Sequence, residues 1–256
     1  MALIIDYNGP ITIITLNRPD ARNAVDPETA EELRTAFKAF DEDNEQSVAI
    51  LTGAEGTFCA GFDLKVAAKS GPDIGHDPNS EGPMGPTRML LSKPVIAAVE
   101  GHAVAGGLEL ALWCDLRVAS ETAIFGVFCR RWGVPLIDGG TVRLPRLIGQ
   151  SRAMDMVLTG RPVKVQEAYE FGLANRKTAA GQALDVALEL AREIAKFPQL
   201  CMRADRMSAH QQWNMGLPAA LVNEAIGGLE PLAKETQAGA ARFAAGKGRS
   251  GDFNSI

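Results

Sequence analysis

Two short runs rich in β-branched residues, 2–7 and 11–16, flank Asn8-Gly9-Pro10, and this pattern predicts a hairpin. Asp26 followed by Pro27 supplies a helix start, and Leu33, Phe37 and Phe40 then recur on one face, so a helix is expected from there to about Phe40. Residues 47–52 read as a strand that stops at Gly53, and residues 57–60 as a strand-like piece running into Gly61. A helix is expected to begin near Phe62 or Asp63. Residues 70–86 contain four Gly and four Pro among Asp, Asn and Ser, a composition that excludes regular structure and predicts a mobile loop. Beyond it the pattern predicts a short helix over 87–91, a buried strand over 94–99 and a turn at Gly101-His102. A helix should then run from Gly106-Gly107 through Trp113, followed by a strand over 115–119.

One order therefore recurs: apolar strand, glycine turn, helix. It appears at 50–65 and again at 95–113. After Ala180 the pattern becomes almost wholly helical, with helices expected over 180–196, 198–210 and about 218–245, and with a frayed tail from Gly246. An α/β core over residues 1–190 and a helical region over 191–256 follow from that change of pattern.

Composition narrows the class of partner. A chain of 256 residues can bury a sizeable core, and 46% hydrophobic with 22% charged residues is ordinary for a soluble globular protein. The formal net charge is −5 and no basic run is interleaved with aromatics, so nucleic acid is not an expected partner. An anionic ligand would have to bind through local cations and helix N-termini. Cys59, Cys114, Cys129 and Cys201 have no CxxC-type spacing, which argues against a zinc site and for reduced thiols in a cytoplasmic protein. No apolar stretch approaches the roughly 18 residues of a membrane span, and Asp6 and Asn8 interrupt the N-terminal run that a signal peptide would need. No membrane partner is expected.

The two glycine turns carry the chemistry. A helix start leaves backbone N–H groups unpaired and partly positive, and glycine lets a ligand approach them. Two such turns flanked by small residues suggest two donors aimed at one point. The segments carrying them are Phe58-Cys59-Ala60-Gly61-Phe62-Asp63-Leu64 and the run from Lys93-Pro94-Val95 through Gly101-His102 to Gly106-Gly107-Leu108-Glu109-Leu110-Ala111. Leu16-Asn17-Arg18-Pro19, Cys114-Asp115-Leu116-Arg117, Val157-Leu158-Thr159-Gly160, Glu167-Ala168 and Gly172-Leu173 follow in order. Together these segments, over nearly the whole chain, resemble the crotonase (enoyl-CoA hydratase/isomerase) superfamily.

The resemblance implies an α/β fold of the crotonase type, a ββα superhelix with a helical C-terminal trimerisation region, and a homotrimer or dimer of trimers. It implies an acyl-CoA substrate, with CoA part of the substrate and no separate cofactor or metal. The shared step is stabilisation of a thioester enolate. By motif position the oxyanion-hole N–H groups fall on Phe62 and Gly106, and each such donor is worth about 3 kcal/mol in the transition state. Glu109 falls where the family places a general acid/base; as an alternative it is a first-turn carboxylate favoured by the helix dipole. Arg22, Ala24, Ala60, Asp63, Leu64 and Lys65 fall at the CoA positions. Arg22 and Lys65 are the natural phosphate partners, although either alone also reads as a solvated charge.

The sequence departs from the family at one catalytic position. Typical hydratases carry a second glutamate in the stretch that here reads Phe125-Gly126-Val127-Phe128-Cys129, and Cys129 stands in its place. A thiol is a poor replacement for a carboxylate base, and a small buried hydrophobe is the preferred reading. Asp138 lies close to the position where dienoyl-CoA isomerases and halobenzoyl-CoA dehalogenases of this superfamily place a functional Asp. It reads equally as a catalyst and as the N-cap of the helix through Leu147. No Ser/His/Asp triad assembles, and His102 is given no role. Hydration of a 2-enoyl-CoA, double-bond isomerisation without hydration, and acyl-CoA binding with little turnover all remain open at this point.

Overall fold

In a computed structural model the chain is described over residues 2–69, 77–79, 81–248, 251 and 253. The strands are β1 (Leu3–Asn8), β2 (Ile11–Leu16), β3 (Val48–Gly53), β4 (Val95–Val99), β5 (His102–Val104), β6 (Leu116–Ser120), β7 (Ile124–Gly126), β8 (Val163–Lys164) and β9 (Arg176–Thr178). The helices of the core are α1 (Pro27–Glu42), α2 (Leu64–Ala67), α3 (Gly106–Trp113), α4 (Gly140–Ile148), α5 (Gln150–Thr159), α6 (Val165–Glu170) and α7 (Ala183–Lys196). The C-terminal helices are α8 (Gln199–Gln211), α9 (Leu217–Gly227), α10 (Leu229–Lys234) and α11 (Thr236–Ala244).

The expected hairpin forms, with Asn8 paired to Ile11 across a turn in which Gly9 takes φ 59°. Asp26 caps α1 by accepting from the Thr29 N–H at 2.8 Å, and Ala30, Leu33, Phe37 and Phe40 form its buried face. Six strands make one sheet in the order β1-β2-β3-β4-β6-β9, parallel except for the first pair. Alternate residues of β2, β3 and β4 face opposite sides, and both sides are covered, as their mostly apolar sequences require. Ile11, Ile13, Val48, Ile50, Ile96 and Ala98 pack under Ala183, Ala187, Leu190 and Ala191 of α7. The boundary expected at residue 190 thus falls inside α7. The other side, including Ile14, Leu16, Leu51 and Ala97, packs with α1 and α3 in the larger core cluster. A second sheet, β5-β7-β8, stands beside the first.

Arg117 ties α3 into this frame. It is buried, and its Nη1 donates to the carbonyls of Ala111 (3.2 Å) and Cys114 (2.8 Å) at the C-terminal end of α3, while Nε donates to Leu173 (2.6 Å). A cation at that end satisfies orphan carbonyls and complements the helix dipole.

Several local expectations change. Residues 87–91 are not a helix. Their carbonyls are drawn to tertiary donors: Thr87 to Arg143 Nη2 (2.6 Å), Met89 to Trp113 Nε1 (2.9 Å) and Leu91 to Arg206 Nη1 (2.6 Å). Residues 57–60 contribute only an isolated parallel bridge, Cys59 to Ala103, rather than a strand. The long helix expected near 218–245 is broken into α9, α10 and α11 at Gly228 and Glu235. Of the loop expected to be mobile, residues 70–76 and 80 lie outside the described residues, whereas Met84 is buried in the core. Much of the expected tail (249, 250, 252 and 254–256) also lies outside them; Phe253 meets Phe197 edge-on at 5.9 Å. No helix among the described residues is long and apolar enough to cross a membrane.

Candidate active site

The two glycine turns meet. β5 ends at Val104, and Ala105 turns the chain into α3 with φ 53° and ψ −125°, a conformation costly for an L-residue by roughly 1–3 kcal/mol. Its N–H is fixed by the Gly126 carbonyl at 2.9 Å. Gly61 takes φ 100°, and a Cβ there would lie 2.9 Å from both the Gly106 nitrogen and the Ala105 Cβ. Gly107 is required for a different reason, because a Cβ on it would lie 2.1 Å from the Cys59 carbonyl oxygen. Packing thus explains Gly107, and approach between the two turns explains Gly61.

Phe62 forms a parallel bridge with Val25, in which Val25 donates to the Gly61 carbonyl and Asp63 donates to the Val25 carbonyl, both at 2.8 Å. That ladder uses the groups on either side of Phe62 and leaves its own N–H on the opposite side. Among the described residues neither the Phe62 N–H nor the Gly106 N–H has a hydrogen-bond partner. Two unpaired donors on touching turns, one at a helix N-terminus, make a ready receptor for a developing negative oxygen.

Glu109 lies one turn along α3 from Gly106, on the same face. It is 2% exposed, and its Oε1 accepts from the N–H groups of Asp138 (2.9 Å) and Gly140 (2.8 Å). Gly140 permits this approach, since a Cβ would sit 2.9 Å from that oxygen. Burial, and then the like charge of Asp138, push the carboxyl up from 4.5 to about 7 against the pull of the two N–H donors and Arg143. The group is therefore poised to gain or lose a proton near neutrality.

Asp138 is buried beside it, yet it does not cap α4. Gly139 is the cap residue and makes no side-chain bond. Instead Asp138 Oδ1 accepts from the Met84 N–H at 3.0 Å and from the Thr87 hydroxyl. Cys129 is buried at the start of the turn after β7. Burial and then the Glu109 charge raise its thiol, which favours the protonated form. Among the described residues no group of three or more His, Cys, Asp or Glu side chains is arranged to hold a metal ion.

The six residues expected at the CoA positions come together along one strip next to Phe62. The Ala60 N–H donates to the Arg22 carbonyl at 3.1 Å, and Arg22 is exposed with φ 53°. Leu64 and Lys65 are exposed in the first turn of α2. Asp63 is mostly buried and engaged: it accepts from the Lys65 N–H at 3.0 Å and pairs with Arg18 at 3.1 Å. Arg18 also pairs with Asp26 at 2.8 Å and donates to the Ala24 carbonyl. Asp63 and Ala24 therefore build the strip, leaving Arg22 and Lys65 as its cations. Sequence reasoning missed the organising role of Arg18, although the Asn17-Arg18-Pro19 motif marked it. It also missed Met84, Thr87 and Arg143, which no local pattern singles out.

The chain is similar to known proteins over most of its length. The family model described as enoyl-CoA hydratase/isomerase matches residues 6–247. The chain is 41% identical over 208 residues to an enoyl-CoA hydratase, EchA19, of Mycobacterium tuberculosis, covering 78% of this chain and 77% of that protein. It is also 41% identical over 206 residues to a carnitinyl-CoA dehydratase of Salmonella arizonae, covering 79% and 78% respectively. A crystal structure of enoyl-CoA hydratase EchA1 from Mycobacterium marinum superposes with a TM-score of 0.89 at 35% identity, covering 95% of this chain and 96% of that one.

Proposed function

The chain belongs to the enoyl-CoA hydratase/isomerase family, the crotonase superfamily, and from that premise we propose that it stabilises a thioester enolate with the N–H groups of Phe62 and Gly106. It is an acyl-CoA-acting enzyme of that type. The observation that carries the finer reading is the meeting of the two turns: Gly61 fits against the Gly106 nitrogen, and the two donors are unpaired. A thioester carbonyl seated between them gains two hydrogen bonds that strengthen as negative charge moves onto the oxygen. Each is worth about 3 kcal/mol at the transition state.

Glu109 supplies the proton transfer. As a carboxylate it accepts a proton from water attacking Cβ; as an acid it returns one to Cα, giving addition of water to a 2-enoyl-CoA. The same relay run backwards is dehydration. Arg22 and Lys65 hold the CoA phosphates, with Ala24, Ala60, Asp63 and Leu64 shaping the strip beside them. We take no separate cofactor to be needed for this chemistry.

A second reading, double-bond isomerisation, is favoured by the replacement of the second glutamate by Cys129. One carboxylate suffices to carry a proton between Cα and Cγ. Crotonyl-CoA and a 3-enoyl-CoA separate the two. Loss of the enoyl-thioester absorbance with the first supports hydration; its growth with the second, alone, supports isomerisation. No change with either, despite binding, supports a low-turnover binding protein.

Exposed Leu217, Leu221, Ile226, Leu229 and Leu232 on α9 and α10 support self-association through the C-terminal helices, as a trimer or a dimer of trimers. Sedimentation of the full chain tests this, and a monomer at micromolar concentration would refute it.

A further inference from the structure

Asp138 makes contacts in two directions. Its backbone N–H donates to Glu109 Oε1 at 2.9 Å. Its carboxylate Oδ1 accepts from the Met84 N–H at 3.0 Å and from the Thr87 hydroxyl. Arg143 closes the arrangement, with Nη1 donating to the Asp138 carbonyl at 3.0 Å and Nη2 to the Thr87 carbonyl at 2.6 Å. Gly82 wraps the same carboxylate so closely that a Cβ on it would lie 2.6 Å from Oδ1. Met84 meanwhile lies over Gly106, where a Cβ would meet its Sδ at 2.5 Å. The segment 82–87 thus touches one proposed oxyanion donor through Met84 and the acid/base through Asp138.

We propose that Asp138 is a positioning residue that couples the seating of the 82–87 segment to the orientation of Glu109. The inference rests on Glu109 being the proton-transfer group. Asp138 Oδ1 is held by two donors from the 82–87 segment, which ties its carboxylate to that segment. Its N–H, together with that of Gly140, fixes the Glu109 oxygen, and any shift of the segment pulls on that N–H through the carboxylate. Asp138 acts on Glu109 by charge as well. Among the described residues, the charged or titratable groups acting on Glu109 are Asp138 from the loop before α4, Arg143 from α4 and Cys129 from the turn after β7. Removing the Asp138 charge lowers the pH at which Glu109 ionises, because the like charge opposes ionisation.

The test uses the full-length protein, crotonyl-CoA and a pH series, with Asp138→Asn, Thr87→Val and Thr87→Ser. Asparagine keeps an oxygen that accepts from Met84 and Thr87. Asp138→Asn should retain kcat within about tenfold of wild type and move the acid limb of kcat/KM to lower pH. Thr87→Val should lower kcat several-fold with little change in KM, and Thr87→Ser should restore it. Asp138→Asn that abolishes turnover at every pH while the protein stays folded would make Asp138 a proton carrier and overturn the inference. An unmoved acid limb would overturn it as well. The Glu109 carboxyl band, isolated by subtracting the infrared spectrum of Glu109→Gln, reads the same shift in the resting protein. A wild-type protein without turnover would therefore sink the functional reading alone, while an infrared titration unchanged by Asp138→Asn would sink this one. If Asp138→Asn does not fold, unchanged kcat in Thr87→Val refutes the coupling.

Discussion

Replacing Glu109 by glutamine should slow the enzyme and stabilise it, and the second effect depends on pH with a definite sign. The native carboxyl holds its proton up to about pH 7, whereas the unfolded one releases it near 4.5. Between those values the native state binds more protons, so the Glu109 contribution to stability falls as pH rises from 4.5 to about 7 and stays low above it. The full difference corresponds to roughly 3 kcal/mol at pH 8, and to about 1 kcal/mol or less at pH 5. Glutamine keeps an oxygen for the Asp138 and Gly140 N–H groups and never ionises, so it escapes that penalty. Glu109→Gln should accordingly resist urea better than wild type at pH 8, and by much less at pH 5. Turnover of crotonyl-CoA or a 3-enoyl-CoA, followed at the enoyl-thioester absorbance, should fall by about 10²–10⁴-fold, the usual worth of general acid–base catalysis. The wild-type kcat/KM should rise with pH to a plateau above about 7, where the free carboxylate predominates. Turnover within threefold of wild type in Glu109→Gln, or a stability gain larger at pH 5 than at pH 8, would refute the reasoning.

Other substitutions probe separate parts of the site. Gly107→Ala should destabilise the protein far more than Gly106→Ala, because its Cβ meets the backbone oxygen of Cys59 at 2.1 Å, whereas that of Gly106 meets the movable end of Met84 at 2.5 Å; paired urea titrations decide this. Cys129→Ala should leave kcat within about threefold, since a protonated, buried thiol contributes packing rather than proton transfer; a hundredfold loss would restore a catalytic role for it. Arg22→Ala and Lys65→Ala should each raise KM several-fold with kcat nearly unchanged, and the effect should shrink at high salt, because exposed cations contribute uniform, screened binding to a phosphate.

What was legible in the sequence has a common physical character. The hairpin, α1, the strands at 48–53 and 95–99 and the helix from Gly106 follow from period, caps and glycine, all local signals. The meeting of Gly61 with Gly106 was legible only through the pairing of two motifs, since neither turn alone shows where the other lies. Residues 87–91 misled because local propensity favours a helix, while Arg143, Trp113 and Arg206 from distant elements take the carbonyls a helix would have used. Asp138 looked like a helix cap for the same reason. Its carboxylate bonds backward to residues 84 and 87, more than fifty positions away in sequence.

The central claim is that the N–H groups of Phe62 and Gly106 hold the thioester oxygen, and the carbonyl stretch of a bound acyl-CoA reports on it directly. An enoyl-CoA labelled with ¹³C at the thioester carbonyl, bound to Glu109→Gln so that it is not consumed, isolates that band in a Raman or infrared difference spectrum. Polarisation by two donors should move it to lower wavenumber than in water, and Gly61→Ala, which crowds the Gly106 nitrogen, should reverse the shift in whatever folded protein remains. A carbonyl band at its aqueous position in the bound complex would contradict the account.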